Sequence, residues 1–558
     1  MPNANRQRRP VSLQDSVNQN VRAIAASTLA WTLDEQGRSR ESCREMERVL
    51  AAGAVDLNGR AEILTALGKS RFLAGAPDSA IAPLREALAL RAGLHGLLGS
   101  SGIGNEHVLA DAFGAAGNRD SALAHYRIAA TRWEHQRSQP QDPAWREAFG
   151  TTAAELYGDY ATALLDPARG GTAAQRASEA FAALQPFRAR TLEDALRGRD
   201  ARVALPRVAL VTLQRSTLRP REVFLDLYVA RDTSFLFAVT REAVRATGLP
   251  GGDALVPKLR RFADLLAAGE GDGDASRAAA AALGEELFGG AADLARGAGT
   301  VLVSAGAMGR FPLGMLRLPG EAEPLASRRQ WAVVPSATLL AASRVTPSPA
   351  HAGGAGLLAL CRTTDAAGRP LDGVARESRW LSRTLPGTAV RQNDGHRSLD
   401  EMIGGLGRHD VLHVSSHTRG SAAAPWRAGF LLGRGEGDDA YLTAARIARL
   451  PRPARVCVLA GCGSAGATES AEAIPNLAAA WLASGASAVI ASLWPVGDDA
   501  TASFVEEFYR ALYRGRSTGQ SLAEAQRALR GRNGLSARDW AGFVLLGDPE
   551  TRIAAARR

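Results

Sequence analysis

The chain has 558 residues, of which 46% are hydrophobic and 22% charged. That is the composition of an ordinary globular protein, and the length allows roughly two to four domains. The formal net charge is +10, and Lys69 and Lys258 are the only lysines. The arginines are spread among acidic residues along the whole chain, a pattern that a GC-rich coding sequence explains. A nucleic-acid interface would cluster basic and aromatic residues, so we predict no specific nucleic-acid binding.

The cysteines and the apolar segments indicate the cellular compartment in which the protein is expected to occur. The four cysteines are Cys43, Cys361, Cys457 and Cys462. They are too few and too scattered for a disulfide framework, and no Cys-x-x-Cys pair is present for zinc. No signal-peptide core follows the basic N-terminus, and the longest apolar stretch, residues 477–496, is interrupted by glycine and serine. We therefore expect a cytoplasmic protein without a membrane span.

The N-terminal third predicts helices. Residues 1–20 are polar and are expected to be disordered, whereas alanine and leucine recur at helical spacing over residues 21–200. Two segments match at an offset of 42 residues, because Gly75 and Gly117 each precede a short polar turn and a second helix. The matching positions that follow are Ala80, Leu84 and Ala87 in the first copy and Ala122, Tyr126 and Ala129 in the second.

These copies resemble the tetratricopeptide helix-turn-helix unit, in which small residues let paired helices approach closely. The offset exceeds the usual value of about 34 residues, which predicts longer helices. A third, weaker copy covers residues 154–184, with an insertion at residues 169–171. Stacks of such units form a concave groove, so residues 21–200 are predicted to bind a protein or peptide partner. A plain helical bundle without a ligand is the alternative.

Residues 203–345 change to α/β character. The strand-like runs are 208–213, 223–230, 234–240, 300–307 and 331–337, and the helical stretches are 255–267 and 276–296. Only a short Arg-Asp-Thr turn separates the second and third runs, which predicts a β-hairpin. This part has no pair of cysteine and histidine, and a linker is predicted at residues 347–355.

A second α/β series is predicted over residues 354–552. A strand opens it at residues 356–361, and helices are predicted at residues 375–385, 399–406, 443–450, 474–484, 500–514 and 521–529. Three further β-branched runs end on His417, Cys462 and Trp494. The carboxyl ends of neighbouring parallel strands share one edge of a sheet, where ligands bind. A histidine and a cysteine that end adjacent strands can therefore form a nucleophilic pair. Within the same runs, Cys457 and His413 are predicted to be packing residues.

The order of the C-terminal motifs resembles the CHAT domain, a caspase-like domain associated with tetratricopeptide repeats and related to caspases, separases and gingipains. The motifs are H-V-S-S-H, V-L-A-G-C-G-S, A-S-A-V-I-A-S-L-W-P-V-G-D-D-A-T, F-Y-R-A-L and W-A-G-F-V-L-L-G-D-P. Segments 187–196 and 333–340 are also similar, so the resemblance covers most of the chain from about residue 60. It implies a mostly parallel sheet flanked by helices, with a non-catalytic half at residues 203–345 and a catalytic half at residues 354–552.

The resemblance also implies a cysteine endopeptidase with His417 as base and Cys462 as nucleophile. A thiol with a pKa of about 8.5 needs such a base to react near neutral pH. Gly461 and Gly463 leave room for backbone amides to bind the oxyanion, and the amides of Cys462 and Thr418 are the candidates. The dyad requires no cofactor or metal, and neither a P-loop nor an H-E-x-x-H motif is present.

Two departures from the family pattern keep a second hypothesis open, an inactive scaffold with the CHAT fold. Thr418 stands where the family has glycine after the histidine. The sequence A-G-C-G-S-A-G stands where the family has S-A-C-E-T-G, and the acids Glu469 and Glu472 follow only later.

Specificity is predicted from L-W-P-V-G-D, which resembles a separase segment whose aspartate binds a basic side chain at P1. The aligned residue is Asp498, with Asp499 beside it, and Trp494 is expected to shape the pocket wall. A carboxylate there favours arginine through bidentate, charge-assisted hydrogen bonds. The alternative role for both aspartates is N-capping of the helix that follows.

Overall fold

The computed structural model describes residues 13–53, 55–95, 100–138, 153–188, 192, 208–345, 356–420, 425–435, 437–450, 454–461 and 477–553. It divides into two compact units, one of Met1–Gln139 with Asp159–Gly170 and the other of Pro140–Gly158 with Gly171–Arg558. The predicted linker at residues 347–355 and four residues of interest lie outside the described residues. These four are Cys462, Gly463, Glu469 and Glu472. Among the described helices, none has the length and apolarity needed to cross a membrane.

The first unit contains the predicted repeats. Its helices are α1 (Leu13–Glu35), α2 (Ser39–Ala52), α3 (Leu57–Leu73), α4 (Pro77–His95), α5 (Ser100–Ala115), α6 (Arg119–Ser138) and the larger part of α7 (Ala154–Leu165). Helix α1 begins within the segment for which we expected disorder. Gly75 and Gly117 both adopt a φ of +81°, where L-residues are strained, and end α3 and α5 in the same way. The pairs α3–α4 and α5–α6 are therefore tetratricopeptide-like helical repeats.

Gly68 marks a close approach within the first helix pair. A Cβ there would lie 2.4 Å from Cγ of Leu84, which is fully buried. We expect Gly68→Ala to lower the free energy of unfolding by about 1–3 kcal/mol, because it overpacks the contact between α3 and α4. Urea unfolding followed by circular dichroism measures the change.

Gly114→Ala is the matched control for this prediction, since its Cβ would make only ordinary contact with Ala122, at 3.8 Å. Alanine is the better helix former, so this variant is expected to be neutral or slightly stabilising. Equal destabilisation by both variants would contradict the packing argument.

The second unit alternates strands and helices. Its strands are β1 (Glu222–Val229), β2 (Thr233–Val239), β3 (Val244–Pro250), β4 (Thr300–Ser304), β5 (Gln330–Val333), β6 (Leu357–Arg362), β7 (Thr388–Asn393), β8 (Val411–Ser415), β9 (Thr418–Arg419), β10 (Gly429–Leu431), β11 (Tyr441–Thr443), β12 (Val456–Leu459), β13 (Ala488–Ser492) and β14 (Phe543–Gly547). Its helices are α8 (Ala173–Leu184), α9 (Gly252–Ala267), α10 (Asp274–Phe288), α11 (Ala292–Gly297), α12 (Leu325–Arg328), α13 (Ala337–Val345), α14 (Asp372–Thr384), α15 (Leu399–Ile403), α16 (Ala444–Ile447), α17 (Leu477–Ala483), α18 (Asp498–Tyr513), α19 (Thr518–Arg530) and α20 (Ala537–Trp540).

Eleven of these strands form one sheet, in the order β3-β2-β1-β4-β5-β14-β13-β12-β8-β6-β7, and β11-β10-β9 form a small second sheet. Strands β1, β4, β5 and β14 are mutually parallel. Strands β13, β12, β8, β6 and β7 are also mutually parallel, but β14 and β13 meet antiparallel. Apart from β2, which is antiparallel to both of its neighbours, the sheet thus consists of two parallel blocks that run in opposite directions, so it is mostly parallel. The carboxyl ends of β8, β12 and β13 lie at one edge.

The structure confirms most of the predicted elements in this unit and corrects three predictions. The run at residues 208–213 is wrong as a strand, because Leu210–Thr212 and Leu213–Thr217 are helical. Strands β3 and β7 were missed, because both are edge strands with mixed, half-exposed sequences that no apolar run marks. No strand was assigned to β9, β10, β11 or β14 either. The second helix of the predicted third repeat, α8, packs on the sheet instead, with the ring of Phe181 edge-on to Phe224 and Phe237.

Candidate active site

Strands β8 and β12 bring the two predicted site segments side by side. They are parallel neighbours, with Val458 paired with His413 and Leu459 with Val414. Beyond the strand end, the backbone N–H of Ala460 still donates to the carbonyl of Val414, at 2.8 Å. Strand β13 lies on the other side of β12, also parallel to it. The predicted convergence of three strand ends is therefore present.

His417 lies two residues beyond β8, where the chain passes into the small sheet. Its ring is exposed, while its carbonyl accepts a hydrogen bond from the backbone N–H of Leu431, at 2.9 Å. The hydroxyl of Ser416 donates to the carbonyl of Leu431, and Thr418 pairs with Phe430 across β9 and β10. The backbone on both sides of His417 is thus fixed, while its imidazole remains accessible to solvent.

Gly461 lies against the two residues that flank His417. A Cβ on Gly461 would be 2.7 Å from Cγ2 of Thr418, 2.9 Å from the ring of Phe430 and 2.9 Å from the carbonyl oxygen of Ser416. Only glycine fits such an approach. Because Cys462 follows Gly461 directly in the sequence, the polypeptide that leads to the cysteine touches the segment that carries the histidine.

This close approach gives a test of the site. For the peptidase that the sequence predicts, we expect Gly461→Ala to lower kcat/KM by about 100-fold, because a displacement of about 1 Å at a reacting group has that effect. Peptide hydrolysis measures the change. Gly420→Ala is the control, since a Cβ there meets no atom within 4 Å; its kcat/KM should match that of the wild type. An unchanged rate in Gly461→Ala would show that this contact does not shape the site.

A small cleft lies at the carboxyl ends of these strands. Its lining residues include Ser415, Ala460, Gly461, Ser492, Val496 and Phe543, together with Gly373, Glu377 and Asp498. The hydroxyl of Ser492, the last residue of β13, donates to the carbonyl of Gly461 at 3.2 Å. The cleft is therefore continuous with the backbone that precedes Cys462.

The three predicted specificity residues have different surroundings. Helix α18 begins at Asp498 and its N-cap is Gly497, without a side-chain cap, so the capping alternative for the two aspartates is wrong. Asp499 forms an ion pair with Arg376, whereas Asp498 lines the cleft. Trp494 is buried, and its Nε1 donates to the carbonyl of Arg538 at 2.9 Å. Of the three, the structure brings only Asp498 into the described wall of the cleft.

Glu377 is a cleft residue that the sequence did not reveal. It is 4% exposed, its Oε2 accepts from the hydroxyl of Ser415 at 2.5 Å, and the same oxygen lies 3.5 Å from Nε2 of His413. His413 is fully buried, with Nδ1 3.2 Å from the hydroxyl of Tyr509. The sequence marks Glu377 only as one acid on an amphipathic helix, and its burial depends on packing between distant elements.

The two cysteines that the structure describes within the large sheet, Cys361 and Cys457, do not resemble nucleophiles. Burial raises the pKa of the Cys457 thiol, and burial together with the nearby Glu377 carboxylate raises that of Cys361. Both side chains lie inside strands of the sheet and are fully buried. Cys457 is thus a packing residue, as expected.

One group of potential metal ligands occurs among the described residues, in the helical unit. His107, Asp111 and Asp159 place one ligand atom each within 4.8 Å of one another. Nε2 of His107 lies 2.8 Å from a carboxylate oxygen of Asp159, and the hydroxyl of Tyr126 donates to Asp111 at 2.5 Å. These hydrogen bonds between neighbouring helices account for the arrangement.

The large, mostly parallel sheet with flanking helices has the arrangement of a caspase-like α/β fold, and residues 277–548 match the CHAT domain family. This segment, just under half of the chain, is similar to CHAT domains. The fold is similar to that in a crystal structure of the separase–securin complex from Saccharomyces cerevisiae, with a TM-score of 0.52 and 10% sequence identity. That match covers 94% of this chain and 46% of the yeast chain.

The curated relatives share a shorter segment. Tetratricopeptide repeat protein 28 from Homo sapiens is 35% identical over 111 residues, and the protein of that name from Mus musculus is 36% identical over 110 residues. Each match covers 20% of this chain and 4% of the relative. The chain thus spans a small part of these relatives and less than half of the yeast chain.

Proposed function

We propose that the chain is a cysteine endopeptidase in which His417 and Cys462 form the catalytic dyad. The observation that carries this proposal is the contact of Gly461, the residue before Cys462, with Ser416 and Thr418 on either side of His417. His417 accepts the thiol proton, and the sulfur attacks the carbonyl carbon of the scissile peptide bond. His417 then protonates the leaving amine, and water hydrolyses the acyl-enzyme with His417 as base.

The oxyanion of the tetrahedral intermediate requires preorganised donors, and we assign this role to the backbone amides of Cys462 and Thr418. Thr418, which stands where the family has glycine, is compatible with this role of its backbone amide. The family motif has glycine after the histidine and alanine before the cysteine, whereas this chain has Thr418 and Gly461. The methyl group of Thr418 occupies the space that a Cβ on residue 461 would need. The two departures therefore compensate each other in volume, which supports an intact site rather than a degenerate one.

Asp498 supports a preference for a basic residue at P1. It lines the cleft, and the described residues offer it no arginine or lysine partner, in contrast to Asp499 beside it. A free carboxylate at a substrate cleft favours a guanidinium or ammonium group. The tetratricopeptide-like repeats are proposed to bind a protein substrate or activator, with full activity only after that partner binds.

Hydrolysis of a fluorogenic peptide with arginine at P1 tests the proposal. The full chain, alone and with lysate from its source cells, should release the fluorophore, and Cys462→Ala should not. The alternative, a CHAT-fold interaction scaffold, predicts no hydrolysis above that of Cys462→Ala under either condition.

A further inference from the structure

The carboxylate of Glu377 is buried without a full set of partners. Its Oε2 is hydrogen-bonded to Ser415, but Oε1 is buried and has no hydrogen-bond partner among the described residues. A buried polar atom without a partner costs about 1–3 kcal/mol, and more when it is charged. Native structures retain such groups where a ligand or water completes them. Glu377 is one of the residues that line the cleft beside Gly461, so its carboxylate is next to any ligand that enters the cleft.

The charge of the cleft is opposite to that of the chain. The net charge is +10 and arginine is abundant, yet the lining residues include two acids, Glu377 and Asp498, and no lysine or arginine. Several other buried acids of this unit have guanidinium partners, as Asp226 has in Arg188 at 2.6 Å. Glu377 has no guanidinium partner among the residues that the structure describes, and the cleft that it lines is open to a substrate.

The two acids lie at different depths of the cleft. Glu377 is buried and Asp498 exposed. Both carboxylates lie on the same face of α14. Glu377 belongs to that helix, and Gly373, one helical turn earlier, leaves the space that Asp498 fills. A Cβ on Gly373 would be 2.4 Å from Oδ2 of Asp498. The cleft thus has one carboxylate at its floor and another at its mouth.

The size of the cleft matches a planar cationic group. Its volume of about 40 Å³ is about three times the 10–15 Å³ that one water requires, which leaves room for a small planar group. The head of an arginine side chain has four heavy atoms in a plane, and its five N–H donors can serve two carboxylates at once. An ammonium group is a compact charge that reaches one carboxylate well.

We propose that Glu377 determines specificity by binding the guanidinium group of a P1 arginine at the floor of this cleft, with Asp498 at its mouth. This inference rests on the proposed peptidase function and adds a residue to it. It predicts that arginine is preferred over lysine and strongly preferred over citrulline, which has the shape of arginine without its charge.

The decisive variant is Glu377→Gln, which keeps the shape and can still accept the hydrogen bond from Ser415. The kinetic readout is kcat/KM for peptides that differ only at P1, with arginine, lysine, citrulline or leucine. Removing one partner of a buried charge pair costs a factor of about 30 or more. We therefore expect the preference for arginine over citrulline to fall at least about 30-fold, with the citrulline and leucine peptides nearly unaffected. Asp498→Asn, at the exposed position, should lower the same preference by less than about 10-fold.

A purely structural role for Glu377 gives a different pattern. Its contacts with Ser415 and His413 would then matter for all substrates, so Glu377→Gln would lower kcat/KM for all four peptides equally. That result overturns the inference and leaves the peptidase proposal intact, as does an unchanged preference for arginine.

Binding of agmatine, a free guanidinium compound, provides a readout that does not depend on catalysis. Calorimetry with the Cys462→Ala chain should show binding that Glu377→Gln weakens at least about 30-fold. If the wild type hydrolyses no peptide but agmatine binding depends on Glu377, the peptidase proposal fails and the assignment of the cleft stands. Agmatine binding that is absent, or equal in the two variants, overturns the assignment of Glu377.

Discussion

Replacing Cys462 with alanine is expected to abolish peptide hydrolysis, and replacing His417 with alanine is expected to lower kcat/KM by about 10⁴-fold. Loss of a nucleophile or its base in comparable hydrolases reduces turnover by roughly 10⁴- to 10⁶-fold, because the two groups act as a unit. The double variant should therefore be no slower than Cys462→Ala alone. Initial rates with an arginine peptide measure all three.

Cys43→Ala is the control for this pair of variants. Cys43 is a half-buried cysteine in the helical unit, and burial raises the pKa of its thiol. Its removal should leave kcat/KM unchanged. Substantial activity in His417→Ala would contradict the dyad, since a thiol with an ordinary pKa would then need another base.

Replacing Arg344 with methionine is expected to destabilise the second unit by about 3–5 kcal/mol, the usual cost of removing one partner from a buried ion pair. Arg344 lies 2.7 Å from a carboxylate oxygen of Glu222 and 2.9 Å from one of Asp548, and the three side chains are almost fully buried. It joins the start of β1 to the residue after β14, so it links two strands of the same parallel block that are far apart in the sequence. Urea unfolding at pH 7 measures the loss.

Arg245→Met is the matched control for Arg344. Arg245 pairs with Asp293 at 2.7 Å, but both side chains are about half exposed. Surface ion pairs contribute about 0–1 kcal/mol, so this variant should unfold nearly as the wild type does. Similar losses in both variants would contradict the role assigned to the buried network.

The same network predicts a pH dependence. Burial opposes ionisation of Asp548, but Arg344, with support from Arg219, outweighs it and lowers the pKa of that carboxyl. A group with a lowered folded-state pKa stabilises the protein above its unfolded pKa of about 3.9. This contribution is lost as the pH falls through the folded-state value. The stability difference between wild type and Arg344→Met should therefore narrow below about pH 4, as unfolding at pH 7 and pH 3.5 can show.

Much of this unit could be predicted from sequence because its central strands are fully buried and therefore apolar throughout. Such strands, β8 and β12 among them, appear as short β-branched runs, and their parallel arrangement follows from the helices between them. The edge strands β3 and β7 are half exposed and carry no such signal. The run at residues 208–213 has strand-forming residues, but Val211 is 51% exposed and the buried side chains follow helical spacing.

The candidate site was predictable only in part, since specificity depends on which charges find partners. The sequence places Asp498 and Asp499 side by side and cannot choose between them. The fold distinguishes the two aspartates, because Arg376 on α14 pairs with Asp499, whereas Asp498 lines the cleft. Glu377 is an acid on the same helix, and only the packing of that helix on the sheet buries it. From the sequence alone, Thr418 is a departure from the family pattern that argues against an active site. In the structure, Gly461 leaves room for the methyl group of Thr418.

The most direct test of the account is to map the site of covalent labelling by an arginine-based chloromethyl ketone, using tryptic digestion and mass spectrometry of the full chain. We predict a single thioether adduct on Cys462 that agmatine protects against and that His417→Ala slows by at least about 100-fold. Labelling of Cys43 instead, or labelling of Cys462 at the same rate in His417→Ala, would contradict the proposed dyad.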